Sequence, residues 1–332
     1  MKRFLARRSV ELIPVVIGIT LLTFLLIHMI PGDPVRVMLG ERASAEQIDA
    51  LRRDLGLDRS LPEQYLRYAA RLAQGDMGSS IHRHTPVTEE LARAFPATIE
   101  LTVAALCIAT VLGIPLGVVA AVRRGGWQDV LGTTVSLVGI SVPVFWLGLM
   151  LVLIFPYYLG WFFFSGRASL EFPHPTGFYV LDAMLSGNPA NLVDVLGHLV
   201  LPAVTLSSVP LAMIARMTRS SMLEVLGQDY IRTARAKGLT EGQVLWGHAL
   251  PNAMIPIVTA IGLQFGYLLG GAVMTETVFS IDGVGRLVVE AVKSRDYPLV
   301  QGSVLAIALA VSLVNLLVDM LYAWLDPRVR YG

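Results

Sequence analysis

Six stretches of this chain contain no Asp, Glu, Lys or Arg: residues 12–32, 101–122, 130–156, 195–215, 249–275 and 298–318. A helix rises about 1.5 Å per residue, so about 20 apolar residues cross a hydrocarbon core of about 30 Å. Every stretch is long enough. The pattern predicts an all-α integral membrane protein of about six transmembrane helices. The third stretch is the least regular. No charge follows it until Arg167, and Pro156 leads into Tyr157, Tyr158, Trp161, Phe162, Phe163 and Phe164. Aromatic side chains gather at membrane–water interfaces, so this cluster reads as an interface belt; a re-entrant or interfacial piece after residue 156 is the alternative. The first stretch follows MKRFLARR, as a signal peptide would. It is longer than the usual h-region of about 7–15 residues and has no small-residue cleavage site. It ends in Pro31-Gly32-Asp33-Pro34 and is expected to be a retained helix.

Composition points the same way. The chain is 54% hydrophobic and 15% charged, whereas a soluble domain carries about 25% charge. A net charge of +1 with dispersed basic residues gives no nucleic-acid surface. The single cysteine, Cys107, allows neither an internal disulfide nor a cysteine metal cluster.

Basic residues in short loops mark the cytoplasmic side. Lys2, Arg3, Arg7 and Arg8 precede the first stretch, and Arg123 and Arg124 follow the second. Arg216, Arg219, Arg232, Arg235 and Lys237 follow the fourth, and Arg328 and Arg330 lie in the tail. Loop 157–194 holds only Arg167. Both termini are therefore expected inside. Arg286, Lys293 and Arg295 in loop 276–297 oppose this assignment. The expected organisation is a cytoplasmic N-terminus and first helix at 1–32, an outer helical segment at 33–95, a five-helix core at 96–325 with an inner loop at 216–248, and a cytoplasmic tail at 326–332.

The outer segment carries helix signals. Ser44 with Gln47 reads as a capping box, with Gly56 as the stop. Ser60 with Glu63 reads as a second box, with Gly75 as its stop. Thr85-Pro86 reads as the start of a third short helix, with Pro96 just before the second stretch.

Enzyme signatures are missing. No G-x-x-x-x-G-K-[ST] run is present, so ATP binding by such a loop is not expected, and neither H-E-x-x-H nor G-x-S-x-G occurs. Gly266, Gly270 and Gly271 read as close helix packing. His82 and His84 fit a solvated loop better than a metal site, and His28 and His198 lie near stretch ends. Intramembrane acids and bases mark ion-coupled pathways, and the six stretches lack a buried charge. The energy source is thus expected outside this chain. Gln264 and Asn315, polar but neutral, are expected either to bond between helices or to line a path.

Residues 216–248 are patterned beyond the needs of a connector. Ser220 or Ser221 is suited to cap a helix with Glu224 in its first turn. Leu223, Leu226, Tyr230, Ala234 and Lys237 recur at helical spacing. Gly238 suits the position just past a helix end, supplying a backbone shape that a side chain hinders. Thr240 with Gln243 reads as another capping box before Val244, Leu245 and Trp246. The expectation is helix, glycine turn, helix. An amphipathic hairpin lying on the membrane surface satisfies the same pattern, and charge bias alone accounts for Arg232, Arg235 and Lys237.

The stretch DYIRTARAKGLTEGQVLWGHALPNAMIPIV, residues 229–258, resembles the inner-membrane permeases of binding-protein-dependent ATP-binding-cassette importers. Thr233, Ala234 and Arg235 stand where the broad superfamily has Glu-Ala-Ala, and Gly238 keeps the superfamily glycine. Thr233 in place of the acid matches the dipeptide, oligopeptide, glutathione and nickel branch. Pro251 departs from the arginine common in that branch. The resemblance extends over nearly the whole chain, through PGDP at 31–34, QGDMGSSI at 74–81, PATIEL at 96–101, IARMTRSSMLEVLGQDYIRTARAKGL at 214–239, GLQFGYLLGGAVMTETVFSIDGVGRL at 262–287, RDYP at 295–298 and LVNLLVDMLYAWLDPRVRY at 313–331. The PGDP start and long first outer loop resemble the "B" type of the two paired permeases.

That resemblance implies a type I importer permease fold in the cell inner membrane, with no catalysis or cofactor on this chain. It implies a second permease, two ATPase subunits carrying ATP and Mg, and a periplasmic or lipid-anchored solute-binding protein. The inner loop would dock on an ATPase subunit through Tyr230, Ile231, Thr233, Ala234, Arg235 and Gly238, with Tyr230 and Ile231 giving apolar contact and Arg235 pairing with an acid. Dipeptides or oligopeptides are the expected cargo; nickel, glutathione or another small solute is the alternative. A self-sufficient secondary transporter is the reading from a different class. Replacing Gly238 with a bulky residue, or Ala234 with Glu, is predicted to uncouple ATP hydrolysis from uptake. ATPase and transport assays on the reconstituted complex check this, and normal transport in both variants would refute it.

Overall fold

A computed structural model describes the backbone at residues 2–29, 44–54 and 56–325. The turn at 31–34 and the tail at 326–332 lie outside the described residues. In chain order the helices are α1 (Lys2–Met29), α2 (Ala45–Asp54), α3 (Leu61–Ala73), α4 (Val87–Val122), α5 (Trp127–Ser141), α6 (Val144–Val152), α7 (Tyr179–Leu185), α8 (Pro189–Leu226), α9 (Asp229–Ala236), α10 (Leu250–Val278), α11 (Val284–Ser294) and α12 (Tyr297–Leu325). Wide π-helical turns at Leu153–Leu159 and Gln243–Ala249 extend α6 and precede α10. No β-strand occurs among the described residues.

Four helical runs are long and apolar enough to cross a membrane: Val87–Val122, Pro189–Leu226, Gln243–Val278 and Tyr297–Val318. Trp127–Ser141 and Val144–Leu159 are long and apolar enough only as a pair, bent by 99°, the shape of a broken span or a re-entrant loop, and Ile13–Leu25 is a shorter apolar helix. These correspond to the six charge-free stretches.

The third stretch differs from expectation at its centre. The chain breaks at Val142-Pro143, not after Pro156. Proline lacks an amide hydrogen and disfavours helix at the residue before it. Helix continues through Pro156 to Leu159, and Gly160, at φ 66°, ends it. The aromatic residues beyond it form no re-entrant helix; residues 160–178 are irregular.

Other expected boundaries shift for similar reasons. Ser44 and Gln47 do exchange bonds, at 3.0 and 3.2 Å. Ser60 makes no side-chain cap, and Glu63 does not reach back to it but pairs with Arg59 and Arg67. The short helix expected after Pro86 does not stop at Pro96; it is the first part of the 36-residue α4. Ser220 and Ser221 cap nothing, since α8 runs unbroken to Leu226.

Contacts divide the chain into two units. One comprises residues 1–96 and 282–312. There α3 lies along α1: Phe24 meets Tyr65 edge-on at 5.5 Å, Thr20 and Tyr65 share a 3.1 Å hydrogen bond, and His28 reaches Gln64 at 3.1 Å. Val87, Leu91 and Ala94 pack with Val284, Leu287, Ala291 and Leu299. Arg83 bonds both Glu90 and Glu290, while Arg286 bonds Asp282 and Glu290. Loop 276–297 thus has acidic partners for Arg286 and packs with residues 87–94. His82 bonds the Ser294 carbonyl at 2.6 Å.

The second unit holds residues 97–281 and 313–332. Its centre is α8, whose 38 residues span about 57 Å. Gly113 and Gly117 of α4 bring the two backbones close: a Cβ on Gly117 would lie 2.5 Å from the Ala215 carbonyl. Gly139 of α5 plays the same part against the Ser208 carbonyl, and Gly148 of α6 makes room for the side chains of Thr205 and Phe279. At one end of α8, Asp194 accepts the amides of Ser169 and Leu170 at 2.7 and 2.9 Å. His198 lies buried there, stacked on Phe163 and bonded to Ser169 at 3.1 Å. Arg167 bonds Glu100 at 2.8 Å and lies over Tyr179.

The expectation of spans without a buried acid also needs correction. α10 continues past residue 275, and Glu276 is fully buried, accepting a 2.6 Å bond from Thr98. It falls one residue beyond the charge-free stretch.

Backbone-limited packing generates a stability prediction. Gly117→Ala must displace the Ala215 carbonyl or Thr218, whereas a Cβ on Gly270 meets nothing within 4 Å. Gly117→Ala is predicted to cost about 1–3 kcal/mol and Gly270→Ala far less. Thermal unfolding of the detergent-solubilised protein measures the difference, and equal midpoints would contradict it.

Candidate functional site

The hairpin after α8 is the best-defined candidate site. α8 ends at Gly227, and Asp229 opens α9. A helix of eight residues is marginal alone, so packing must hold it. Ile231 and Ala234, three apart on one face, are buried. They join Met222, Val118, Ala121, Val244, Ala249, Ala253 and Ile257 in one apolar cluster. α9 is therefore fastened to α4, α8 and α10 through that face.

Gly238 turns the chain at φ 81°, where a side chain strains the backbone. A Cβ there would meet nothing within 4 Å, so conformation and not space demands glycine. Thr240 and Gln243 then form a capping box: the Thr240 amide reaches Gln243 at 3.0 Å and the Gln243 amide reaches Thr240 at 3.4 Å. Arg235 closes the turn by bonding Glu241 at 2.8 and 3.3 Å. That hydrogen bond, helped by the Arg235 charge, holds the Glu241 carboxyl below its ordinary value against the opposing effect of burial, and the same pairing raises Arg235.

The expected docking residues separate into two sets. Tyr230, Thr233, Arg235 and Gly238 are exposed, as are Arg232 and Lys237. Ile231 and Ala234 point inward, so Ile231 gives its apolar surface to this chain's own core. Arg235 finds its acid within the chain, in Glu241. Burial raises the Tyr230 phenol above its usual range, although 42% of the residue stays exposed.

One supporting pair escaped sequence reasoning. Arg219 clasps Asp129 of α5 with bonds of 2.6 and 2.8 Å, and Asp129 also accepts the Gly125 amide at 3.0 Å. Ninety positions separate the partners, so no local spacing signals it. It ties α5 to α8 two turns before the hairpin. Of the expected path residues, Gln264 is half-buried with its Oε1 unpaired, and Asn315 is exposed on α12.

Comparison with known proteins bears on what such a hairpin serves. Residues 113–331 match the family described as binding-protein-dependent transport system inner membrane component. Residues 1–102 match the N-terminal domain of such membrane components. The chain belongs to this family. It is 50% identical over 337 residues to the dipeptide transport system permease protein DppB of Escherichia coli K12, covering 100% of this chain and 99% of that one. The di/tripeptide permease DppB of Pseudomonas aeruginosa is 50% identical over 335 residues, with the same coverage. The glutathione transport system permease protein GsiC of Pectobacterium atrosepticum is 42% identical over 331 residues, covering each chain fully. The inward-facing MetNI methionine ABC transporter contains a similar fold, with a TM-score of 0.56 at 19% identity, over 71% of this chain and 96% of that one. The chain is a multi-pass permease subunit of an ABC importer, with a type I importer fold, and not a catalytic subunit.

The Arg235–Glu241 pair makes a pH prediction. Because the folded carboxyl is depressed, the pair's contribution is complete above the unfolded value near 4.5 and is lost as pH falls through the lower folded value. Hydrogen exchange across 237–243 is predicted not to depend on the pair's ionisation between about pH 6 and 8, after correction for intrinsic rates. Glu241→Gln is predicted to raise exchange there throughout that range. Unchanged protection in Glu241→Gln would show that the pair does not hold the turn.

Proposed function

We propose that this permease forms half of the translocation pathway for dipeptides or short oligopeptides, and that its 229–241 hairpin is the docking element for an ATP-hydrolysing partner. Full-length identity of 50% to two permeases named for di- and tripeptides carries the cargo reading. The docking reading rests on an exposed polar and aromatic surface mounted on a buried apolar base.

In this reading two ATPase subunits, which hold ATP and Mg, sit against the hairpin and its counterpart on a second permease. A solute-binding protein delivers cargo on the opposite face. Both termini are cytoplasmic, on the side of the hairpin. Tyr230, Arg232, Thr233 and Lys237 meet the ATPase, while Ile231 and Ala234 transmit its movement into α4, α8 and α10 because they are packed and not exposed. The Arg219–Asp129 pair passes the same movement to α5. Gln264 and Asn315 remain candidates for the path. The 42% identity to a glutathione permease supports a second cargo reading, glutathione, itself a small peptide.

Two measurements test this. Tyr230→Ala with Thr233→Glu is predicted to release the ATPase subunits during purification and abolish ATP-dependent uptake, with the apolar cluster left intact. Ala234→Glu places a charge in that cluster and is predicted to lower thermal stability as well. Retention of both ATPase chains and full uptake in the exposed-face double variant would reject the docking surface. The ligand carried by the cognate binding protein decides between dipeptide and glutathione.

A further inference from the structure

The elbow between α5 and α6 exposes backbone polar groups inside an apolar span. α5 ends at Ser141 with the Val142 amide returning to the Val138 carbonyl at 3.0 Å. Pro143 has no amide to give the Gly139 carbonyl. The 99° bend carries the amides of Val144 and Phe145 away from the carbonyls of Ile140 and Ser141. The next regular bond runs from the Leu147 amide to the Pro143 carbonyl, at 3.0 Å.

This break lies at membrane depth. A Cβ on Gly139 would touch the Ser208 carbonyl of α8 at 3.2 Å. Ser208 is eleven residues, about 16 Å along a helix, from Arg219, which pairs with Asp129 at the start of α5. Ser208 also lies within the charge-free stretch 195–215. Irregular backbone is not found facing lipid within the hydrocarbon region; it persists where protein buries it or where it lines a water-filled cavity. Ser141 and Pro143 are exposed, so this chain does not bury them. A second observation agrees. Thr134 and Ser141, two helical turns apart on one face of α5, are both exposed, and the Ser141 hydroxyl bonds the Leu137 carbonyl of its own helix at 2.8 Å.

We infer that the α5–α6 elbow, with the Thr134–Ser141 face, lines the aqueous translocation path and offers backbone carbonyls to the amide and ammonium groups of a passing peptide. This deepens the peptide-importer reading and rests on it for the cargo, though not for the water-filled path. Backbone acceptors bond what all peptides share and read no side chain. Such a contact suits a permease whose partner binding protein does the selecting.

The single cysteine makes the test direct. In a Cys107→Ala background, Thr134→Cys and Ser141→Cys are introduced separately, with Val111→Cys, exposed on the apolar α4, as the lipid-facing control. The complex is purified with its partners, reconstituted, and treated with a charged, membrane-impermeant methanethiosulfonate. Only the thiolate reacts, and each unit by which an apolar surround raises a thiol pKa removes a factor of about ten. Labelling of Thr134→Cys and Ser141→Cys is therefore expected to be at least about tenfold faster than that of Val111→Cys. Rates no faster than the control in the assembled complex overturn the inference. So does labelling in the isolated chain that disappears on assembly, which would mean that the second permease covers the elbow. ATP-driven uptake of dialanine by the Cys107→Ala complex is measured alongside. Failure of that uptake with fast elbow labelling counts against the peptide reading and leaves the aqueous path standing.

Discussion

The structure depends on one constraint: a backbone amide or carbonyl in hydrocarbon must find its partner within the protein. Leaving one unpaired costs on the order of several kcal/mol. Helix satisfies nearly all such groups locally, so the spans are helices, and departures from regular helix need a reason. The two π-helical turns keep their bonds at wider spacing, so the chain changes pitch without releasing its carbonyls. The elbow at Pro143 is different in kind, because proline removes a donor outright. It is the place within the spans where the membrane's demand and the chain's geometry conflict most openly.

The same constraint explains what sequence patterning captured. Absence of charge over about 20 residues is a direct consequence of the solvent, so the four long spans and the bent pair were legible as charge-free stretches, while the first stretch gives only a shorter apolar helix, Ile13–Leu25. Helix ends within those spans were not. Pro96, Pro202 and Pro256 sit inside continuous helices, whereas Pro143 breaks one. Proline is tolerated in membrane helices when neighbouring groups re-satisfy the freed carbonyls, and only tertiary structure reveals whether they do. Ser60 and Ser220 show the converse. Each had a cap's sequence, but Glu63 pairs with Arg59 and Arg67 and helical continuity absorbed Ser220.

The candidate site was legible in outline because its signals are local. Gly238 and the Thr240–Gln243 box depend on near neighbours in the chain. The direction of α9 was not legible. Exposed Tyr230 and buried Ile231 are adjacent, and an eight-residue helix does not declare which face meets the core. Periodicity put Tyr230 and Ala234 on one face, whereas the cluster around Met222 and Ile257 takes Ala234 together with Ile231 and leaves Tyr230 outside.

Long-range polar pairs were invisible for the same reason, and they decide how the second unit holds its register. Apolar contact between helices is non-directional, and in lipid no hydrophobic force favours one register over another. Close approach at Gly113, Gly117 and Gly139 sets how near the helices come but only partly how far they slide. The Arg219–Asp129 clasp, the Thr98–Glu276 bond and the Arg167–Glu100 pair each fix one helix against a distant segment at a single height. The clasp lies toward the hairpin end of α8, whereas His198 and Asp194 grip the irregular loop at its other end. α8 is therefore held by polar pairs toward both ends and by close glycine contacts between them. Such a helix moves with the segments it holds more readily than past them.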